Sequence, residues 1–290
     1  GMNDHAYQAF REDICRAYVH SQGEIVDTLM KEGARVALIT PQPIEDKSPV
    51  EHDKNVKNQS LHKFSAALYD VAAARNAWFV NLFEPYMKLM LTARAAKPDA
   101  MIGGGDAVHP GPVGHTLMAW IILKQLQAPM LVSCCEVDVS RWFFLSKIKR
   151  QRNCTLSDVQ VRDGVVSFDR LDHALPMPID TRATAALSLA PITDDLNRYK
   201  LKVEGLKAAN YALTIDGLHV ADFSREDLAR GVDLVNYSTP NSAQALQVLD
   251  LVFKKNDAYF ERWRKVQLAN GPAEKMAELD LRIADLEAQI

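Results

Sequence analysis

Two short, nearly solid apolar runs set the frame for this chain: Val36-Ala37-Leu38-Ile39 and Trp78-Phe79-Val80-Asn81-Leu82. Each lies between stretches of helical period. Tyr18, Ile25, Val26, Leu29 and Met30 recur on one face over 18–32, and Gly33 stands where a left-handed cap belongs. Leu61, Phe64, Leu68 and Val71 repeat at the same spacing, and another helical stretch covers roughly 84–95. Strands buried on both faces of a parallel sheet read as solid apolar runs, and helices cross over between them. Pro41-Gln42-Pro43 cannot continue a ladder and ends the first run in a turn, and a polar loop follows from Glu45 to Asn58. The expectation is an α/β fold. Two strands make a marginal sheet by themselves, so these elements read as part of a larger one.

The character changes after about residue 128. Val159–Phe168 alternates around Asp163-Gly164, a strong hairpin signal, and Tyr211, Leu213 and Ile215 alternate before Asp216-Gly217. Residues 129–238 therefore read as mostly antiparallel β. The end is helical: Ser242 to Leu268, a break at Gly271-Pro272, then Met276, Leu279, Ile283, Leu286 and Ile290 at spacings of three and four. That seam is two heptads long, shorter than coiled coils usually need, so packing on its own chain is the first reading and a homo-oligomer through this helix the second. The expected organisation is 1–128, 129–238 and 239–290.

The net charge of −3 leaves no basic footprint for nucleic acid, and no apolar run is long enough to span a bilayer. Cys15, Cys134, Cys135 and Cys154 show no metal spacing with histidines. His5, His20, His52, His62, His173 and His219 have no acidic or cysteine company at ligand spacing along the chain, so each reads as a surface or satisfied histidine. His5 alone has a second reading, as a cleft residue. No metal or cofactor is expected. Trp142-Phe143-Phe144 reads as core in preference to a binding platform.

Residues 103–121, GGGDAVHPGPVGHTLMAWI, carry the chemistry. Pro110, Gly111 and Pro112 forbid helix across Asp106 and His109, which places the pair on a loop; a helix from about Gly114 to Gln127 anchors it. A carboxylate there can accept a hydrogen bond from the imidazole Nδ1, fix the tautomer, and leave Nε2 outward as a base. Asp-x-x-His alone is common; an Asx-turn with a surface histidine is the bland alternative.

The flanking residues Asp106-Ala107-Val108-His109-Pro110, then Gly114 and an apolar helix, resemble the last conserved block of the SGNH (GDSL-type) hydrolases. Gly1-Met2-Asn3-Asp4 is similar to that family's Gly-x-Asn-Asp block, although a Gly-Met scar of a cleaved tag also fits its first two residues. The resemblance covers about 1–127. It implies the C-terminal part of a flavodoxin-like three-layer α/β/α domain with an appended β-rich and helical extension. It implies a serine ester hydrolase, with a small-molecule or carbohydrate ester as substrate. Asp106 would orient His109, His109 would be base and then acid, Asn3 would donate to the oxyanion, and Asp4 would hold the turn. His115 reads as a capping or packing residue. The family's Gly-Asp-Ser nucleophile block is absent, and Ser21, Ser48, Ser60 and Ser65 lack a tight-turn signature. The expectation is an N-terminally truncated chain, inactive without its serine, with the compartment left open and export following only if a signal peptide precedes Gly1. The rival reading is a non-catalytic glycan- or protein-binding chain on a hydrolase-like fold.

Overall fold

The computed structural model describes residues 1–47, 49–140 and 147–290, so Ser48 and the Trp142-Phe143-Phe144 motif lie outside the described residues. The chain divides into two units, one of 1–129 with 181–196, the other of 130–180 with 197–290.

The first unit is α/β. Helix α1 (Glu12–Lys31) precedes strand β1 (Ala37–Ile39), α2 (Val56–Arg75) crosses to β2 (Trp78–Val80), and α3 (Phe83–Ala96) and α4 (Pro112–Gln125) follow. β1 and β2 pair in parallel, Ala37 opposite Trp78. Gly33 has the expected positive φ, and Asn76 closes α2 in the left-handed conformation, which its short polar side chain tolerates. Val26, Leu38, Phe64, Leu68 and Val71 form one core. Of the α1 stripe, Tyr18 and Val26 are buried, whereas Ile25, Leu29 and Met30 stand exposed. The side of α1 that packs against this core carries Cys15, Tyr18 and Val26.

The loop between β1 and α2, polar in sequence, is pinned from inside. Asn58 is fully buried; its Oδ1 accepts from Ile44 N and its Nδ2 donates to Ile44 O and Val50 O. Asn55 caps α2 by accepting from Lys57 N and Asn58 N.

Short helices α5 (Ala186–Leu189) and α6 (Ile192–Leu196) also belong to this unit. The stretch 129–238, expected as one β-rich region, is thus shared between the two units. Asp195 draws 181–196 onto α4, accepting from Trp120 Nε1 at 3.0 Å and Lys124 Nζ at 2.6 Å.

The second unit holds strands β3 (Leu131–Asp138), β4 (Ile148–Arg152), β5 (Cys154–Arg162), β6 (Val165–Asp172), β7 (Arg198–Glu204), β8 (Asn210–Ile215), β9 (Leu218–Ser224) and β10 (Val232–Asp233). A four-stranded sheet runs β10-β7-β3-β4, with β3 and β7 parallel and the other pairs antiparallel. The hairpins β5–β6 and β8–β9 turn at Asp163-Gly164 and Asp216-Gly217, where all four residues have positive φ, as a two-residue turn matched to strand twist demands. Helix α7 (Arg225–Arg230) starts at the Ser224 cap.

Helix α8 (Pro240–Phe260) passes into a π-helical stretch, Glu261–Gln267, and α9 (Ala273–Gln289) folds back on both. Leu279, Ile283 and Leu286 are buried within the chain, so the seam's inner positions are used at home; its last residue, Ile290, is exposed. Among the described residues, no helix is long and apolar enough to cross a membrane.

Candidate active site

The loop between α3 and α4 is shaped by backbone sterics before any side chain acts. A Cβ on Gly105 would run into His109 O, and one on Gly114 would sit 2.6 Å from Pro110 Cβ. Gly104 takes a φ of +70°. Gly103 O accepts from Gly111 N at 2.7 Å and Gly114 N at 3.2 Å, folding the segment into a closed bend that feeds α4.

Within the bend, Asp106 Oδ1 accepts from Val108 N (2.8 Å) and His109 N (2.7 Å), the Asx pattern. Asp106 Oδ2 lies 2.9 Å from His109 Nδ1. A carboxylate can only accept, so Nδ1 carries the proton and Nε2 is left with its lone pair. The imidazole is 83% exposed, which keeps Nε2 open to a reacting group. The His109 backbone N–H, the His109 ring and the Val108 N–H, in that order, hold the Asp106 carboxyl down to about 2. Asp106 is thus ionised at any neutral pH.

The residues that hold this bend carry no motif in the sequence. Glu45 is 3% exposed and accepts from Ile102 N and from Gly103 N at 2.7 Å, while its own N–H donates to Ala107 O at 2.8 Å. Burial pushes its carboxyl up, opposed by the two N–H donors and the nearby Arg94. Gln42 Nε2 donates to Val108 O at 2.8 Å. Both come from the loop after β1. A buried glutamate in an otherwise polar loop was the available signal, but burial is not written in the local sequence.

Asn3 lies in the opening turns, where its Oδ1 accepts from Tyr7 OH at 2.8 Å. Among the described residues no hydrogen bond joins it to Asp106 or His109. Gly1, two residues before Asn3, lies against Pro41, in the loop after β1 whose Gln42 reaches the bend. The Asp4 carboxylate meets the Gly1 ammonium at 2.6 Å. His115 is exposed, and its N–H continues the helix by donating to Gly111 O. Ser60 and Ser65 are buried in α2, Ser65 donating to Leu61 O.

Two expectations about histidines are corrected. His5 is 2% exposed, its Nδ1 at Met2 O and its Nε2 without a partner. Its ring packs edge-on to Phe64, a residue distant in sequence, which draws it inside. His52 and His62 do have acidic company: with Glu84 they bring three potential ligand atoms within 4.8 Å of one another. These residues are brought together by the α2 crossover, so sequence spacing does not reveal them.

No family model and no curated protein matches the chain. Among solved structures it is similar to a gut microbial diltiazem-metabolizing enzyme, with a TM-score of 0.73 at 22% identity over 100% of this chain and 72% of that one. The likeness is one of fold.

Proposed function

We propose that this chain carries the acid–base half of a serine ester hydrolase of the SGNH type. The observation that carries the reading is the Asp106–His109 pair, with Nδ1 engaged, Nε2 free and the bend fixed by Glu45. His109 takes the proton of an attacking serine and returns it to the leaving alcohol, while Asp106 stabilises the imidazolium in between. The Asn3 amide donates to the developing oxyanion through Nδ2, with Oδ1 oriented by Tyr7. The serine comes from a Gly-Asp-Ser block that these 290 residues do not contain. The fold is similar to that of a diltiazem-metabolizing enzyme, and a small-molecule or carbohydrate ester is the substrate that the family resemblance of the Asp106–His109 block implies.

The test has two steps. The coding sequence ahead of Gly1 is read for the Gly-Asp-Ser block, and the chain joined to it is assayed on short-chain p-nitrophenyl esters. His109→Ala should cost about 10⁴-fold or more in kcat. Asn3→Ala should cost about 10²–10³-fold. Unchanged activity in His109→Ala overturns the reading.

A second reading, ligand binding by the β-rich unit, rests on a separate cavity of about 310 Å³ there, with Arg170, Asp172, Tyr199 and Asn241 in its wall. Glycan binding by the chain that Asn241→Ala weakens, with no hydrolysis, would favour it.

A further inference from the structure

We propose that His52, His62 and Glu84 form a binding site for a divalent transition metal of the zinc class. The inference stands apart from the ester-hydrolase reading, since none of the three belongs to the Asp106–His109 bend. His52 sits in the turn ahead of α2, His62 on α2, and Glu84 in the first turn of α3. Their potential ligand atoms all lie within 4.8 Å of one another. His62 Nε2 and Glu84 Oε1 are 3.2 Å apart. Two donors bound to one tetrahedral zinc at about 2.0–2.2 Å stand roughly 3.3 Å from each other, so this edge needs almost no movement.

An ordinary ion pair accounts for His62 and Glu84 but not for His52. The two imidazoles stack with centroids 4.3 Å apart and planes 7° from parallel. Charged rings at that separation repel, whereas neutral rings can turn their lone pairs to one cation. Binding requires the His52 ring to tilt out of the stack so that its lone pair meets the ion held between His62 and Glu84.

The three ligands are held by rigid neighbours. Asn58 pins the loop that carries His52. Thr40 Oγ1 accepts from Leu82 N and Phe83 N, both at 2.9 Å, and Asn81 Oδ1 accepts from Glu84 N at 3.1 Å, fixing the start of α3. The buried Phe83 ring lies 5.8 Å from the His62 ring. Two imidazoles and one carboxylate favour zinc over magnesium or calcium, which take oxygen. Three protein ligands leave one tetrahedral position, and His62 and Glu84 border a cleft of about 500 Å³ that also includes Tyr69, Asp70 and Asn81. The open position is assigned to water or a small ligand in that cleft.

The experiment is calorimetric titration of the tag-free, chelator-stripped chain with Zn²⁺, followed by visible absorption of the Co²⁺ form. The expected result is one equivalent bound and a four-coordinate Co²⁺ spectrum without thiolate charge transfer, which separates this site from the four cysteines. His52→Gln and Glu84→Gln should each weaken binding at least tenfold, and His20→Gln should leave it unchanged. His62→Gln should do the same as the first two; because that ring touches buried Phe83, circular dichroism must show it folded, and His52→Gln, in the half-buried turn ahead of α2, decides the matter if it is not. Absence of stoichiometric Zn²⁺ binding by the folded chain, or unchanged affinity in both His52→Gln and Glu84→Gln, overturns the proposal.

Discussion

Asp106 receives two backbone N–H groups and one ring N–H within four residues, and this local crowding of donors is what lowers its carboxyl to about 2. A carboxyl depressed in the fold contributes stability above its ordinary value of 3.8 and loses it as pH falls through about 2. Carboxyl-carbon NMR should place its midpoint near the lower value. His109→Ala should raise that midpoint only part of the way, because the Val108 and His109 N–H donors remain; a midpoint at 3.8 in the unsubstituted chain would refute the geometry. Glu45 acts in the opposite sense. Its burial favours the neutral form, yet without it Ile102 N and Gly103 N lose their acceptors. Glu45→Ala should cost about 2–4 kcal/mol in urea unfolding, with lost exchange protection at those two amides. His5 is the third case. Burial lowers its pKa from 6.5, so above that value both folded and unfolded rings are neutral and it contributes nothing. Below 6.5 the unfolded chain binds a proton that the fold refuses, so stability should fall with pH until the folded value is passed. The urea midpoint of His5→Gln should depend less on pH over this range.

Elements here obey their local chemistry where that chemistry is strong. The two Asp-Gly hairpins form at the residues where the turn residues allow positive φ, and the Gly/Pro bend forms because no helix or strand can include it. Apolar periodicity found the helices but not which side faces the core. On α1 three of the five expected stripe residues are exposed, since which face is buried depends on neighbours from elsewhere in the chain. On α9 the heptad seam is met by α8 and the π-helical stretch. Leu279 and Ile283 are therefore core residues of the second unit. Leu279→Ala should destabilise it by about 2–4 kcal/mol without altering the solution mass, measured by denaturation and light scattering. A change of mass at equal stability would mean that the seam serves assembly instead.

For the whole molecule, the return of 181–196 to the first unit is the feature that chain order hides. Asp195 meets Trp120 and Lys124 across more than seventy residues. A fragment ending at 129 should therefore leave the α4 surface uncovered, bind an apolar dye and melt below the first unit of the whole chain; equal stability would show that 181–196 contributes nothing. The amino-acid order alone determines what backbone sterics and hydrogen bonds decide within a few residues: the Asp106–His109 bend, the turns at Asp-Gly, and the helix and strand periods. What needed the fold is every partnership made across a crossover: Glu45 beneath Gly103, His52 and His62 beside Glu84, and His5 against Phe64. Those contacts depend on how β1, α2 and β2 are arranged in space, and side chains far apart in the chain carry no mutual spacing from which that arrangement could be inferred.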